Sequence, residues 1–242
     1  MTKWLQGKVV ENRHWTETLF TLRVQGAPLQ FEAGQFVRIA LDIDDERIAR
    51  PFSMVNAPDE ALLEFYGVVV PQGPLSPRLA RLQAADTLFV APNPAGFLVL
   101  SEVPAAQTLW LMSTGTGIAP FVSMLRAGTP WPKFRNVVLV HAVRHARELV
   151  YREEVQAEAR IRYVPVVSRE DAPGALRGRI PALVRDGALE RAAGLGLAPE
   201  SAQVMLCGNP DMLKDTAAVL AERGMRKNRR RTPGHITVES FW

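Results

Sequence analysis

The chain has 242 residues, 47% of them hydrophobic and 22% charged, the balance of an ordinary folded protein in water. Its single cysteine, Cys207, excludes an intrachain disulfide and an all-cysteine iron–sulfur site, and suits a reducing cytoplasm. The formal net charge is +4; the run Arg226-Lys227-Asn228-Arg229-Arg230-Arg231 carries five positive charges, so the remainder sits near neutrality and is no general nucleic-acid binder.

No apolar run approaches the length of a membrane span, and the opening MTKWLQGKVVENRHW lacks the apolar core of a secretory signal. A cytoplasmic protein with no membrane and no nucleic-acid partner is expected, and no metal site.

The first hundred residues read as short strands rich in β-branched and aromatic side chains: 8–10, 19–24, 35–41, 62–70 and 87–90. Gly26-Ala-Pro28, Ala33-Gly34, Asn56-Ala-Pro-Asp59 and Pro92-Asn-Pro94 punctuate them. That spacing predicts an antiparallel β-barrel. One helix interrupts, with Ser76 as its N-cap and Pro77 at its first position.

From about residue 101 the period changes. Strands at 108–113, 137–143, 161–167 and 202–207 alternate with helical stretches at 120–127, 148–160 and 210–223, the pattern of a Rossmann-like α/β domain with a parallel sheet. Two domains follow, 1–100 and 101–242. Ligands of such sheets bind beyond the carboxyl ends of the strands, so those loops hold the candidates.

After the first strand comes Ser113-Thr-Gly115-Thr-Gly117-Ile-Ala-Pro120. Two glycines let a backbone approach a phosphate, although a tight turn alone accounts for them equally well. Pro120 stands where a dinucleotide fingerprint has its third glycine. The second strand ends Val143-Arg144, where an NAD site would carry an acid, and the third ends Ser168-Arg169, with Arg177 and Arg179 close behind. Any one arginine reads as solvated surface; together they favour a 2′-phosphate and hence NADP. The fourth strand ends Cys207-Gly208-Asn209-Pro210-Asp211, where Cys207 alone reads as packing.

In the first half, Arg50-Pro51-Phe52-Ser53 places a cation, an aromatic and a hydroxyl together, and Gly73-Pro74-Leu75-Ser76 leads into a helix. One pyrophosphate could be shared by Arg50 and that helix end, while Phe52 and Ser76 also read as core and cap. The closing Ile236-Thr-Val-Glu239-Ser-Phe241-Trp242 reads as a strand with an acid beside an aromatic on one face.

Taken in order, Arg50–Ser53, Gly73–Ser76, Gly115–Pro120, Leu206–Pro210 and the aromatic end resemble the ferredoxin/flavodoxin–NADP⁺ reductases of short bacterial type, with the closing thirteen residues nearest the enterobacterial form. The resemblance runs from Trp4 to Trp242. It implies an FAD-binding barrel followed by an NADP-binding α/β domain whose tail returns to the flavin. It implies that Arg50, Pro51, Pro74, Leu75, Ser76, Tyr66 and Thr116 frame the FAD, with Phe52 and Phe241 on the ring and Trp242 toward the adenine. Ser53, Cys207, Glu239 and Phe241 are the implied groups around the flavin N5 and the nicotinamide. Val143, Arg144, Ser168, Arg169, Arg179, Asn209, Pro210 and Asp211 are the implied NADP contacts.

The family usually has tyrosine where this chain has Phe52 and Phe241, which removes two hydroxyls that tune the flavin. The implied activity moves electrons between NADPH and ferredoxin or flavodoxin through FAD, with residues 226–231 as an electrostatic docking patch. A free-flavin reductase or an oxygenase reductase component on the same scaffold is the nearest rival, and a basic nucleic-acid module the more distant one.

Overall fold

The structure, a computed structural model, describes residues 3–240. The chain divides into two compact units, Met1–Gly96 with Ala119–Ala127, and Phe97–Ile118 with Gly128–Trp242.

The first unit contains β1 (Leu5–His14), β2 (Leu19–Gln25), β3 (Phe36–Ile43), β4 (Glu46–Ser53), β5 (Leu63–Val68) and β6 (Thr87–Val90), with helices α1 (Ser76–Leu79) and α2 (Ala119–Arg126). The strands pair antiparallel in the order β4-β3-β6-β1-β2-β5. The sheet curls until its edges meet: Met54 bridges Phe65, and Val55 N–H donates to the Glu64 carbonyl at 2.8 Å. Phe20, Leu22, Ile39, Phe65, Leu88 and Val90 fill the interior with no exposure to water. Each such side chain contributes on the order of 1.5–3 kcal/mol.

Strand β4 was not expected, because 42–47 reads as a charged loop. Asp44 and Asp45 have φ of 51° and 64°. Two consecutive left-handed residues make the tight turn whose twist suits a hairpin. The chain thus folds straight back, pairing Ile43 with Glu46 and Val37 with Phe52. Helix α2 is fastened in the same unit by Ser123 Oγ donating to the Asn56 carbonyl at 2.7 Å and by Arg126 Nη1, 3.0 Å from Glu64 Oε2.

The second unit contains β7 (Thr108–Thr114), β8 (Asn136–Val143), β9 (Ile161–Val167), β10 (Leu176–Arg177), β11 (Ala202–Gly208) and β12 (Ile236–Ser240), with α3 (Arg152–Ala157), α4 (Ile180–Arg185), α5 (Ala188–Ala193) and α6 (Pro210–Glu222). All six strands run parallel, in the order β10-β9-β8-β7-β11-β12. The side chains of the central strands β7, β8 and β11 are buried almost without a break, as strands covered on both faces require.

The expected helix at 148–160 is shorter. Tyr151 takes φ 66° and the helix starts only after it. Helices α4 and α5 were not expected; each is six residues, too short for a clear periodic signal.

From β7 the chain steps outward through β8 and β9, then returns to the other side of β7 as β11. The strand order therefore reverses between β7 and β11, and the crevice beyond their carboxyl ends is where such a sheet binds its ligand. Among the described residues no helix is long and apolar enough to cross a membrane.

Candidate active site

The loop after β7 is a helical turn, Gly115–Ile118. Its two glycines do different work. A Cβ on Gly117 would lie 2.5 Å from the Cys207 carbonyl oxygen and 2.9 Å from Gly208 Cα. Gly117 is therefore bare so that the loop can lie on the end of β11. Gly115 has φ +53° and nothing within 4 Å of a Cβ, so its conformation, not crowding by protein, calls for glycine. Thr116 sits between them, half-buried.

Gly208 has φ +131°, and a Cβ there would strike Thr114 Oγ1 at 2.2 Å. Its bare face is filled by Thr114. Thr114 Oγ1 also accepts from Asn209 N–H at 2.9 Å. The loops on both sides of the reversal point are thus locked together.

The sheet register sets a polar row at this level. Glu239 pairs with Cys207, Cys207 with Ser113, and Ser113 with His141, on β12, β11, β7 and β8. Paired residues of a parallel ladder share a face, so four polar side chains line up across an apolar sheet. Cys207 is buried, and desolvation together with the neighbouring Glu239 carboxylate pushes its thiol pKa well up. Desolvation also raises Glu239 to about 7, opposed by a backbone hydrogen bond at Phe97. Its Oε2 is buried with no partner among the described residues. A carboxyl that keeps its proton near neutrality can give one up or take one back there.

His141 is fully buried and held near 3, hence neutral, by desolvation; the Gly115 backbone works the other way. Its Nδ1 lies 3.2 Å from Tyr163 Oη.

Arg144 and Arg169 stand at the ends of β8 and β9. Past the strands the two segments stay hydrogen-bonded as they bend: Ser168 N–H donates to the Val143 carbonyl and Arg169 N–H to the Arg144 carbonyl, both at 3.0 Å. Ser168 Oγ also donates to the Val143 carbonyl at 3.2 Å. Both arginines are exposed, as is Arg179 at the start of α4. Arg177 pairs with Asp171 at 2.9 Å. Asn209 caps α6: its Oδ1 accepts from Asp211 N–H at 2.9 Å and Met212 N–H at 3.2 Å, with Pro210 opening the helix.

In the first unit, Arg50, Pro51, Phe52 and Ser53 close β4. Arg50 is exposed, and Phe52 meets Phe65 edge-on at 6.4 Å between centroids. Ser53 is buried, and its Oγ has no partner among the described residues. A buried hydroxyl costs stability unless something bonds it, so Ser53 fits a polar ligand atom. Tyr66 is buried on β5, next to Phe65.

One expectation is corrected here. Ser76 is the first residue of α1 and not its cap; Leu75 holds the cap position, and Ser76 Oγ accepts from Val70 N–H at 2.9 Å. Pro74 gives its carbonyl to Arg78. Phe241 and Trp242 lie outside the described residues.

Several residues here carried no sequence signal. Asn12 Nδ2 donates to the carbonyls of Leu79, Ala80 and Leu82, and so holds the far end of α1. Glu148 accepts from the Arg144 and His145 N–H groups, and Glu170 from Ala146 N–H. Glu148 bonds within its own turn, whereas the partners of Asn12 and Glu170 are backbone groups of other segments, which no local pattern announces.

The basic run is an ordered turn. Asn228 is buried; its amide donates to the Glu102 carbonyl at 2.7 Å and to Thr237 Oγ1 at 3.1 Å. Arg230 Nε lies 2.8 Å from Glu102 Oε1, while Arg229 and Arg231 are exposed.

A curled antiparallel sheet preceding a parallel one, with a glycine loop at its reversal point, defines a class of nucleotide-dependent oxidoreductases. Residues 111–218 match the family model of the oxidoreductase NAD-binding domain. The chain is 49% identical to the flavodoxin/ferredoxin–NADP reductase of Escherichia coli, with 100% of both chains covered. It is 36% identical to the ferredoxin–NADP reductase of Pseudomonas aeruginosa, over 96% of this chain and 95% of that one. A crystal structure of a ferredoxin–NADP⁺ reductase from Neisseria gonorrhoeae with bound FAD and NADP superposes with a TM-score of 0.96 at 34% identity, covering 100% of both chains. The chain belongs to the flavodoxin/ferredoxin–NADP reductase family.

Proposed function

We propose that this chain moves electrons between NADPH and ferredoxin or flavodoxin through bound FAD. The observation that carries the reading is the bond from Arg169 N–H to the Arg144 carbonyl. It places two exposed arginines on neighbouring strand ends, where a sheet of this kind binds a nucleotide and where an NAD site carries an acid. The relatives' names and the bound molecules of the Neisseria gonorrhoeae enzyme agree with it.

In this reading residues 1–100 form the FAD domain and 101–242 the NADP domain. Arg50 and the Pro74–Ser76 segment hold the FAD pyrophosphate. Phe52 and Tyr66 frame the flavin, with Thr116, Phe241 and Trp242 as further contacts, and Ser53 Oγ takes one polar atom of the ring. FAD supplies the conversion between two-electron and one-electron chemistry when bound. Glu239, held near 7 by burial, keeps a proton available beside the buried Cys207 thiol. Val143, Arg144, Ser168, Arg169 and Arg179 hold the adenosine end of NADP, and Asn209, Pro210 and Asp211 lie along it. Arg229–Arg231 steer an acidic carrier protein. The setting in this reading is cytoplasmic.

The test is the visible spectrum of the purified protein. A yellow protein that releases FAD on heating, and that NADPH bleaches under anaerobic conditions faster than NADH does, supports the reading. A colourless protein, or one bleached equally by both, overturns it.

A further inference from the structure

Glu170 follows Arg169 directly and no role for it comes with the nucleotide-binding residues. It sits where the β8–β9 ladder runs out. Val143 pairs with Val167 at the last position of the sheet. Ser168 N–H to the Val143 carbonyl is the bond of that pair, and beyond it the backbone supplies one more, Arg169 N–H to the Arg144 carbonyl. The next rung is made by a side chain. Glu170 Oε1 accepts from Ala146 N–H at 2.7 Å, and Oε2 lies 3.4 Å from His145 Nδ1. The Ala146 bond and His145 together pull the carboxyl below its ordinary range, so it is ionised at neutral pH.

The consequence is geometric. The 3.0 Å bond from Arg169 N–H to the Arg144 carbonyl keeps the two backbones side by side. Two arginines held this way can direct their guanidinium groups at one anion, and their mutual repulsion opposes holding them there when none is bound. A backbone rung at Arg144–Arg169 alone would be the last one, free to fray. The Glu170 carboxylate ties the segment that follows Arg144 to the one that follows Arg169, through Ala146 N–H and beside His145 and Arg147. From the 144 side, Glu148 holds Arg144 and His145 N–H but belongs to the same turn, so it cannot join the two strand ends.

We infer that Glu170 is a positioning residue for coenzyme choice: by tying the Ala146 backbone to the end of β9, it holds Arg144 and Arg169 at the spacing a 2′-phosphate requires. The inference rests on the proposed 2′-phosphate site.

The experiment uses the FAD-loaded protein and two probes, adenosine 2′,5′-bisphosphate and 5′-AMP, with dissociation constants from calorimetry and KM for NADPH and NADH alongside. Glu170→Ala is expected to weaken the bisphosphate and raise KM for NADPH by about tenfold, the worth of one charge-assisted hydrogen bond. 5′-AMP, NADH and kcat are expected to stay within about twofold, since 2′-phosphate binding is uniform between ground and transition states. Glu170→Gln keeps an oxygen that can accept from Ala146 N–H and is expected to restore most of the loss. Wild-type affinity for the bisphosphate in Glu170→Ala overturns the inference, as does an equal loss for both probes. Tighter bisphosphate binding in both variants overturns it too, because Glu170 would then act only as a repelling charge. A wild-type protein that binds both probes alike removes the 2′-phosphate site itself, and the inference with it.

Discussion

Gly117 and Cys207 are in contact through the backbone, and no side chain fits between them: a Cβ on Gly117 would stand 2.5 Å from the Cys207 carbonyl oxygen. Neither side can yield as a flexible side chain could. Gly117→Ala is expected to cost about 1–3 kcal/mol, the usual range for overpacking, and to lower Tm by about 2–10 °C. Gly115→Ala meets no atom and is expected to cost only the left-handed conformation, about 1–2 kcal/mol. Thermal melts that rank the two in the opposite order would remove this account of the loop.

Glu239 and His141 set opposing slopes in the pH dependence of stability. Glu239 is raised from 4.5 to about 7, so between those values the folded state binds a proton that the unfolded state lacks, and stability falls as pH rises. His141 is lowered from 6.5 to about 3, so between those values the unfolded state binds the extra proton, and stability rises with pH. The two contributions offset each other between 4.5 and 6.5. Stability from these groups is expected to be flat there, to fall as pH drops below 4.5, and to fall again as pH rises from 6.5 to about 7. Glu239→Gln exposes the His141 slope, so its Tm is expected to drop steadily as pH falls from 6.5. A variant as flat as wild type across the window would show that neither shift is present.

Arg144→Ala or Arg169→Ala is expected to raise KM for NADPH by roughly one to two powers of ten, with kcat little changed. KM for NADH, which has no 2′-phosphate, is expected to stay put. Steady-state kinetics with both coenzymes decide it, and parallel losses would refute the assignment.

Asn209 tests capping against coenzyme binding. Its Oδ1 already accepts two backbone N–H groups of α6. Asn209→Ala is expected to cost about 0.5–2 kcal/mol of stability, and Asn209→Asp, which keeps the acceptor, much less. Denaturant titration gives both numbers. A large change in KM for NADPH with no change in stability would reverse the ranking of its two roles.

Arg229 and Arg231 are exposed, and the turn they ride on is fixed by the buried Asn228. Reversing both charges is expected to slow reduction of ferredoxin or flavodoxin, most at low salt, and to leave ferricyanide reduction nearly unchanged. Equal loss with both acceptors would point to damage elsewhere.

The two-part fold, the order of its motifs and the arginines in place of an acid were legible in the residues themselves, because each depends on local pattern. Short β-branched and aromatic runs between turn residues mark the strands of the first half, and strands alternating with helical stretches mark the parallel sheet of the second. Strand β4 escaped this reading because its hairpin depends on the left-handed backbone of Asp44 and Asp45 and not on hydrophobicity. The Ser76 cap was misread because its hydroxyl goes to Val70 N–H, six residues back. The row from Glu239 through Cys207 and Ser113 to His141 belongs wholly to the tertiary structure, since it joins four strands that the chain visits far apart. So do the raised pKa of Glu239, which burial creates, and the place of Glu170, whose partner Ala146 is 24 residues away. Residue type and local spacing determine which chemistry is available; sheet register and desolvation determine which groups meet, and in what protonation state.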